Sequence, residues 1–128
     1  MRRDLDLIRE LLLRLENFEV APGEMEIASS DDEALAVEGY TAEQIAHHLI
    51  WLLDGDLVVG ENEFDGSIGF RRLSWQGCEY LDAVRDPEVW RRTKEGVSKV
   101  GGAGMSFAWE MTKAYGKQLA KDRLGLDL

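Results

Sequence analysis

Three observations in the sequence predict an α+β domain. Apolar residues recur at helical spacing in separate stretches near 3–17, 41–54, 87–99 and 105–124. Residues 57–73 place apolar strand formers on either side of a polar, glycine-containing centre, as a β-hairpin does. Capping or turn residues stand at the junctions. The 128 residues suffice for one domain with its own core, and 45% apolar against 31% charged is a globular balance.

Taken in order, residues 3–17 form a helix with Leu5, Ile8, Leu12 and Leu15 on one face and Asp4 and Asp6 in the first turn, where carboxylates suit the helix dipole. Between 18 and 40, Pro22-Gly23 marks a turn. Met25 and Ile27 suggest one short strand and Leu35, Val37 and Tyr40 another, joined by Asp31-Asp32-Glu33; a hairpin is expected there, with a long ordered loop as the alternative. Thr41-Ala42-Glu43-Gln44 has the capping-box pattern and opens a helix over 41–54 with Ile45, Leu49 and Leu52 as its stripe and Leu53 adjoining. Gly55 suits a left-handed cap. The hairpin over 57–73 turns between Gly60 and Gly66.

Ser74 caps a helix over 75–85. Asp86-Pro87 opens the next, over 87–99, and Gly101-Gly102-Ala103-Gly104 breaks it. A last helix, 105–124, ends at Gly125. Helix, short strand, hairpin and next helix, read from residue 41 onward, is the outline of a winged-helix-like domain with the hairpin as its wing. The prediction is thus a single domain over 1–128, with a C-terminal helical extension over about 87–128. Its expected core is Leu12, Ile45, Leu49, Leu53, Leu73, Trp75, Leu81 and Val84.

Charge is unevenly placed. The net charge is −10, yet residues 1–14 carry a net +1 and residues 71–128 a net +3. Residues 15–70 hold fourteen Asp or Glu and no Lys or Arg, which predicts a strongly negative surface over the middle of the chain. No stretch resembles a signal peptide or a membrane span. The one cysteine, Cys78, excludes an internal disulfide and is expected as a small buried side chain. A cytoplasmic location is expected.

Residues that could carry chemistry do not converge. Glu43 and His47 share a helical face, but no third metal ligand follows by spacing, and His48 lies about 100° away on an ideal helix. One exposed and one packed histidine is the simpler expectation. Ser74 and Cys78 have no local histidine and no nucleophile-elbow context. Gly96 to Gly104 contains Lys99 but not the Gly-Lys-Ser/Thr of a phosphate loop. No catalytic, cofactor or metal site is assigned, and no enzymatic activity is expected.

Several segments resemble one family. They are Arg3-Asp4-Leu5-Asp6-Leu7-Ile8-Arg9, the Tyr40 to Leu57 stretch with its His48-Leu49, and above all Leu73-Ser74-Trp75-Gln76-Gly77 followed by Glu79 to Asp86. The Trp90 to Lys94 stretch and Leu124-Gly125-Leu126 add to them. The chain resembles the bacterial and phage family built on domain of unknown function 2513. Where that pattern usually has a histidine after the glycine, this chain has Cys78, which argues against a metal or catalytic role there. The resemblance implies a small soluble protein, often from prophage-containing bacteria, and carries over no activity and no catalytic residue.

Two readings of function remain. The first is a non-enzymatic protein-interaction or regulatory module whose acidic middle meets a basic protein partner. Its candidate contact residues are Trp51, beside rather than on the buried stripe of its helix, and the apolar stripe Phe107, Met111 and Tyr115. That stripe either pairs two copies as a homodimer or docks back on its own core. The second is a DNA-binding transcriptional regulator using a basic C-terminal face of Arg85, Arg91, Arg92 and Lys94. The helix at 41–54 and the wing lack the cations that phosphate contact needs, so DNA is the less favoured partner. No membrane partner is expected.

Overall fold

The computed structural model describes residues 1–100 and 105–125. The expected glycine break at 101–104 and the last residues of the chain lie outside them. The described elements are α1 (Leu5–Leu15), β1 (Glu26–Ser29), a 3₁₀ turn (Glu33–Leu35), α2 (Ala42–Asp54), β2 (Val58–Asn62), β3 (Ser67–Leu73), α3 (Trp75–Val84), α4 (Pro87–Val100) and α5 (Met105–Leu124). The chain divides within α3 into two compact units, Met1–Glu79 and Tyr80–Leu128.

In the first unit, α1 starts on Asp4, whose carboxylate accepts from the N–H groups of Asp6 and Leu7. It buries Leu7, Ile8, Leu11, Leu12 and Leu15. The capping box of α2 forms as expected: the Thr41 hydroxyl accepts from Gln44 N–H, and the Gln44 side chain accepts from Thr41 N–H. Ile45, His48, Leu49 and Leu52 point inward from α2. Beneath them lies a three-stranded antiparallel sheet in the order β1-β3-β2, with Ala28, Val58, Ile68 and Phe70 buried. The ring of Phe18 meets Phe70 edge-on at 5.8 Å.

The hairpin over 57–73 is present. A register shift at Val59/Gly60 brings Gly60 so close to Gly69 that a Cβ would sit 2.0 Å from the Gly69 carbonyl oxygen. Only glycine fits that crossing.

Other expectations are corrected. Residues 18–40 contain no hairpin. One strand, β1, adds to the edge of β3 instead, and the region expected to return as a second strand turns at Glu33–Leu35. Asp32 caps that turn by accepting Ala34 N–H, and Leu35 anchors it in the core. The buried side of β1 is Ala28, leaving Ile27 outward and 52% exposed.

The left-handed residue after α2 is not Gly55, at φ −86°, but Asp56, at φ 56°. Aspartate tolerates that region better than most residues.

Trp75 is not a core residue: it is 82% exposed. Ser74 caps α3 through Gly77 N–H, so Trp75 is the first helical residue. At about 100° per residue it falls opposite the buried Val84. Leu53 and Leu73 are half-buried, whereas Leu12, Ile45, Leu49, Leu81 and Val84 are buried as expected. Cys78, expected inside, is exposed, because the inward positions near it are Gly77 and Leu81.

In the second unit, Asp86 caps α4 by accepting the N–H groups of Glu88 and Val89. Helices α4 and α5 pack along Thr93, Gly96, Ala108 and Thr112, with Met111 over Gly96. The Thr93 hydroxyl donates to the Val89 carbonyl, so it accepts from Thr112, 2.9 Å away. Helix α5 ends at Gly125, at φ 67°, whose N–H donates to the Lys121 carbonyl.

Candidate interaction surface

The outer side of α2 and the tip of the β2–β3 hairpin form the candidate surface. Inward anchoring by Ile45, Leu49 and Leu52 leaves Glu43, His47 and Asp54 exposed on α2, with Ala46 and Ile50 half-buried beside them. Asn62 accepts Phe64 N–H at 2.8 Å, and Asp65 accepts both the N–H and the hydroxyl of Ser67. Those bonds from Ser67, the hydroxyl above all, hold the Asp65 carboxyl below the usual carboxylate range. Gly66 takes a positive φ of 89°, and a Cβ there would lie 3.9 Å from Ala46. The tip is therefore seated on α2.

Between tip and helix lies a groove of about 250 Å³, lined by Glu43, Ala46, His47, Ile50, Asn62, Phe64 and Gly66. Phe64 stands at its rim, 89% exposed and at φ 61°. It is the most exposed of the large apolar side chains among the described residues. All fourteen carboxylate residues between Glu16 and Asp65 are exposed.

The histidines divide as expected. His47 is exposed, with Nε2 4.0 Å from Glu43. His48 is buried: Nδ1 lies 2.7 Å from the Gln44 carbonyl, and Nε2 accepts Asp4 N–H. Trp51 stands edge-on to His48 with ring centroids 4.9 Å apart, and it is half-buried rather than free on the surface.

Within the second unit, Phe107 is 38% exposed. Met111 is half-buried over Gly96, and the half-buried Tyr115 brings its hydroxyl toward the same glycine. Arg85, Arg91 and Arg92 are each accompanied by acid. Arg85 lies 3.1 Å from Asp82, Arg91 2.8 Å from Glu88 and 2.7 Å from Glu95, and Arg92 3.0 Å from Glu88. Lys94 is exposed on the same helix. The Arg91 bond holds the Glu88 carboxyl below its ordinary range, and Glu88 in turn raises the Arg91 guanidinium. A second cavity, of about 430 Å³, has an apolar floor that includes Val89 and Leu119, and its rim charges balance: Asp82 and Asp86 against Lys113 and Arg123. Among the described residues, no three His, Cys, Asp or Glu side chains lie together as a metal site. No described helix is long and apolar enough to cross a membrane.

The family model described as Hypothetical protein (DUF2513) matches residues 2–104. This chain belongs to that family. The DUF2513 span takes in every element from α1 to α4, including the groove between α2 and the hairpin. An "Uncharacterized protein" of Haemophilus influenzae (strain ATCC 51907 / DSM 11121 / KW20 / Rd) is 32% identical over 100 residues, covering 73% of this chain and 76% of that protein. Elongator complex protein 1 of Arabidopsis thaliana is 29% identical over 106 residues, covering 83% of this chain but 7% of that protein. No solved structure matches.

Sequence reasoning missed Phe64 and misplaced Trp75. The signal for Phe64 was available: a lone phenylalanine among Glu63, Asp65 and Gly66 has no strand position to occupy. The signal for Trp75 was its place directly after the Ser74 cap.

Proposed function

We propose that this DUF2513 protein is a non-enzymatic interaction module of winged-helix-like architecture that docks a basic protein partner on the face formed by α2 and the hairpin. The element order α1-β1-α2-β2-β3 and the sheet order β1-β3-β2 support the architecture, with β2–β3 as the wing. One observation carries the functional reading. The helix and wing that would approach a duplex expose Glu43, Asp54, Glu61, Glu63 and Asp65 and contribute no Lys or Arg before Arg71. Nucleic-acid affinity is largely phosphate neutralisation, so this face repels a duplex and attracts a cationic protein.

A DNA-binding regulator working through Arg85, Arg91, Arg92 and Lys94 is the weaker reading. Arg85, Arg91 and Arg92 are engaged by Asp82, Glu88 and Glu95, which cancels much of their field toward a phosphate. Homodimer formation through Phe107, Met111 and Tyr115 is also weaker, because Met111 and Tyr115 already lie over Gly96 of the same chain.

A photo-crosslinking amino acid at position 64, against one at position 91, tests the reading in the native host. Protein adducts from position 64 that vanish with Glu61→Lys and Glu63→Lys are expected. Nuclease-sensitive adducts from position 64 would contradict it.

A further inference from the structure

We propose that the groove between α2 and the hairpin tip receives an arginine side chain from the basic partner, its stem on Ala46 and Ile50, its guanidinium between Phe64 and Glu43. This rests on the reading that the α2–hairpin face docks protein, and it names the side chain that the face selects.

An arginine side chain asks for three things in sequence. Its methylene stem needs apolar surface, its planar head favours an aromatic face, and its charge needs a carboxylate. The groove holds all three within one volume of about 250 Å³. Ala46 and Ile50 are the half-buried apolar part of the α2 wall, Phe64 is open to solvent at the rim, and Glu43 is exposed one helical turn before His47.

The tip is held ready for such a guest. Asn62 fixes the Phe64 backbone, and Gly66 seats the turn beside Ala46, so the turn that carries the ring does not have to be ordered on binding. His47 stands 4.0 Å from Glu43, the outer limit of an ion pair, and leaves the carboxylate able to accept a guanidinium. Charge complementarity chooses among occupants. A phosphate in the groove meets the Glu43 carboxylate and no Lys or Arg in the lining, and an aliphatic side chain leaves Glu43 unused. Arginine suits the ring better than lysine because its weakly hydrated plane stacks on it.

The test is a titration of the isotope-labelled full chain with a short acetylated arginine peptide and with its citrulline counterpart, read on backbone amides. Saturable shifts at Glu43, His47 and Phe64 are expected. Citrulline, which loses both contacts, should weaken binding about tenfold, and Phe64→Ala and Glu43→Gln, which each lose one, about three- to fivefold, in line with an exposed cation–π contact reinforced by an ion pair. Both substitutions are at exposed positions and leave the fold intact. Equal binding of the citrulline peptide, or no saturable shift at these amides, overturns the proposal. Binding that survives Phe64→Ala and Glu43→Gln but is lost with Glu61→Lys and Glu63→Lys overturns the groove assignment while the acidic docking face stands. Saturable shifts at the same amides with duplex DNA and none with the peptide overturn both.

Discussion

The Nε2 of His48 accepts the backbone N–H of Asp4 at 2.9 Å across the junction of α2 and α1. The Gln44 carbonyl, 2.7 Å from Nδ1, can only accept, so Nδ1 is the donor on that side of the ring. Asp4 is also the cap of α1 and takes the Tyr40 hydroxyl at 2.9 Å. Three segments thus converge on one aspartate, with a buried histidine beneath it.

His48→Phe keeps much of the volume but strips Asp4 N–H of its acceptor. A loss of about 1–3 kcal/mol is expected, the cost of an unmet partly buried donor. Urea denaturation followed by far-ultraviolet circular dichroism measures it. The exposed His47→Ala should change stability by less than about 0.5 kcal/mol. Equal effects of the two substitutions would refute the junction.

Partial burial, aided by the hydrogen bond to Asp4 and that carboxylate's charge, pushes the Tyr40 phenol up to about 12 from 10.0. A raised value means the folded state holds the proton more tightly than the unfolded chain. The resulting stabilisation is complete below pH 10 and disappears as the pH climbs through about 12. Difference absorbance between wild type and Tyr40→Phe should show one tyrosine ionising near pH 12. A difference titrating near pH 10 would contradict the contact.

Two glycines should respond in opposite directions. Gly60→Ala drives a methyl group into the Gly69 carbonyl and should cost about 1–3 kcal/mol as strand and bulge shift. Gly116→Ala lies in α5 with nothing within 4 Å of the new methyl and should stabilise by about 0.5–1 kcal/mol through helix propensity. Thermal melts of the two variants read both signs. A stabilising Gly60→Ala would mean that β2 and β3 do not cross there.

Elements whose ends are set by local chemistry were legible in the sequence. Thr41 with Gln44, Ser74, and Asp86 with Pro87 each cap the helix they were expected to cap, because a cap depends on neighbours three residues away. What depends on distant partners was not legible. Residues 25–40 look like two strands by alternation, yet only β1 finds a free edge on β3 and Leu35 is drawn into the core instead. The acidic face was readable as composition, since every carboxylate between Glu16 and Asp65 is exposed. The groove was not, because it needs the hairpin tip seated on Ala46, a contact across twenty residues.

The claim that the α2–hairpin face turns away nucleic acid and docks protein is tested most directly by fluorescence anisotropy of a labelled random-sequence duplex titrated with the full chain. At physiological salt no saturable rise is expected up to on the order of 100 µM, the weak end of ordinary non-specific DNA binding. Tighter, salt-sensitive binding that is abolished by substitution of Glu43 or Gln44 would contradict the account.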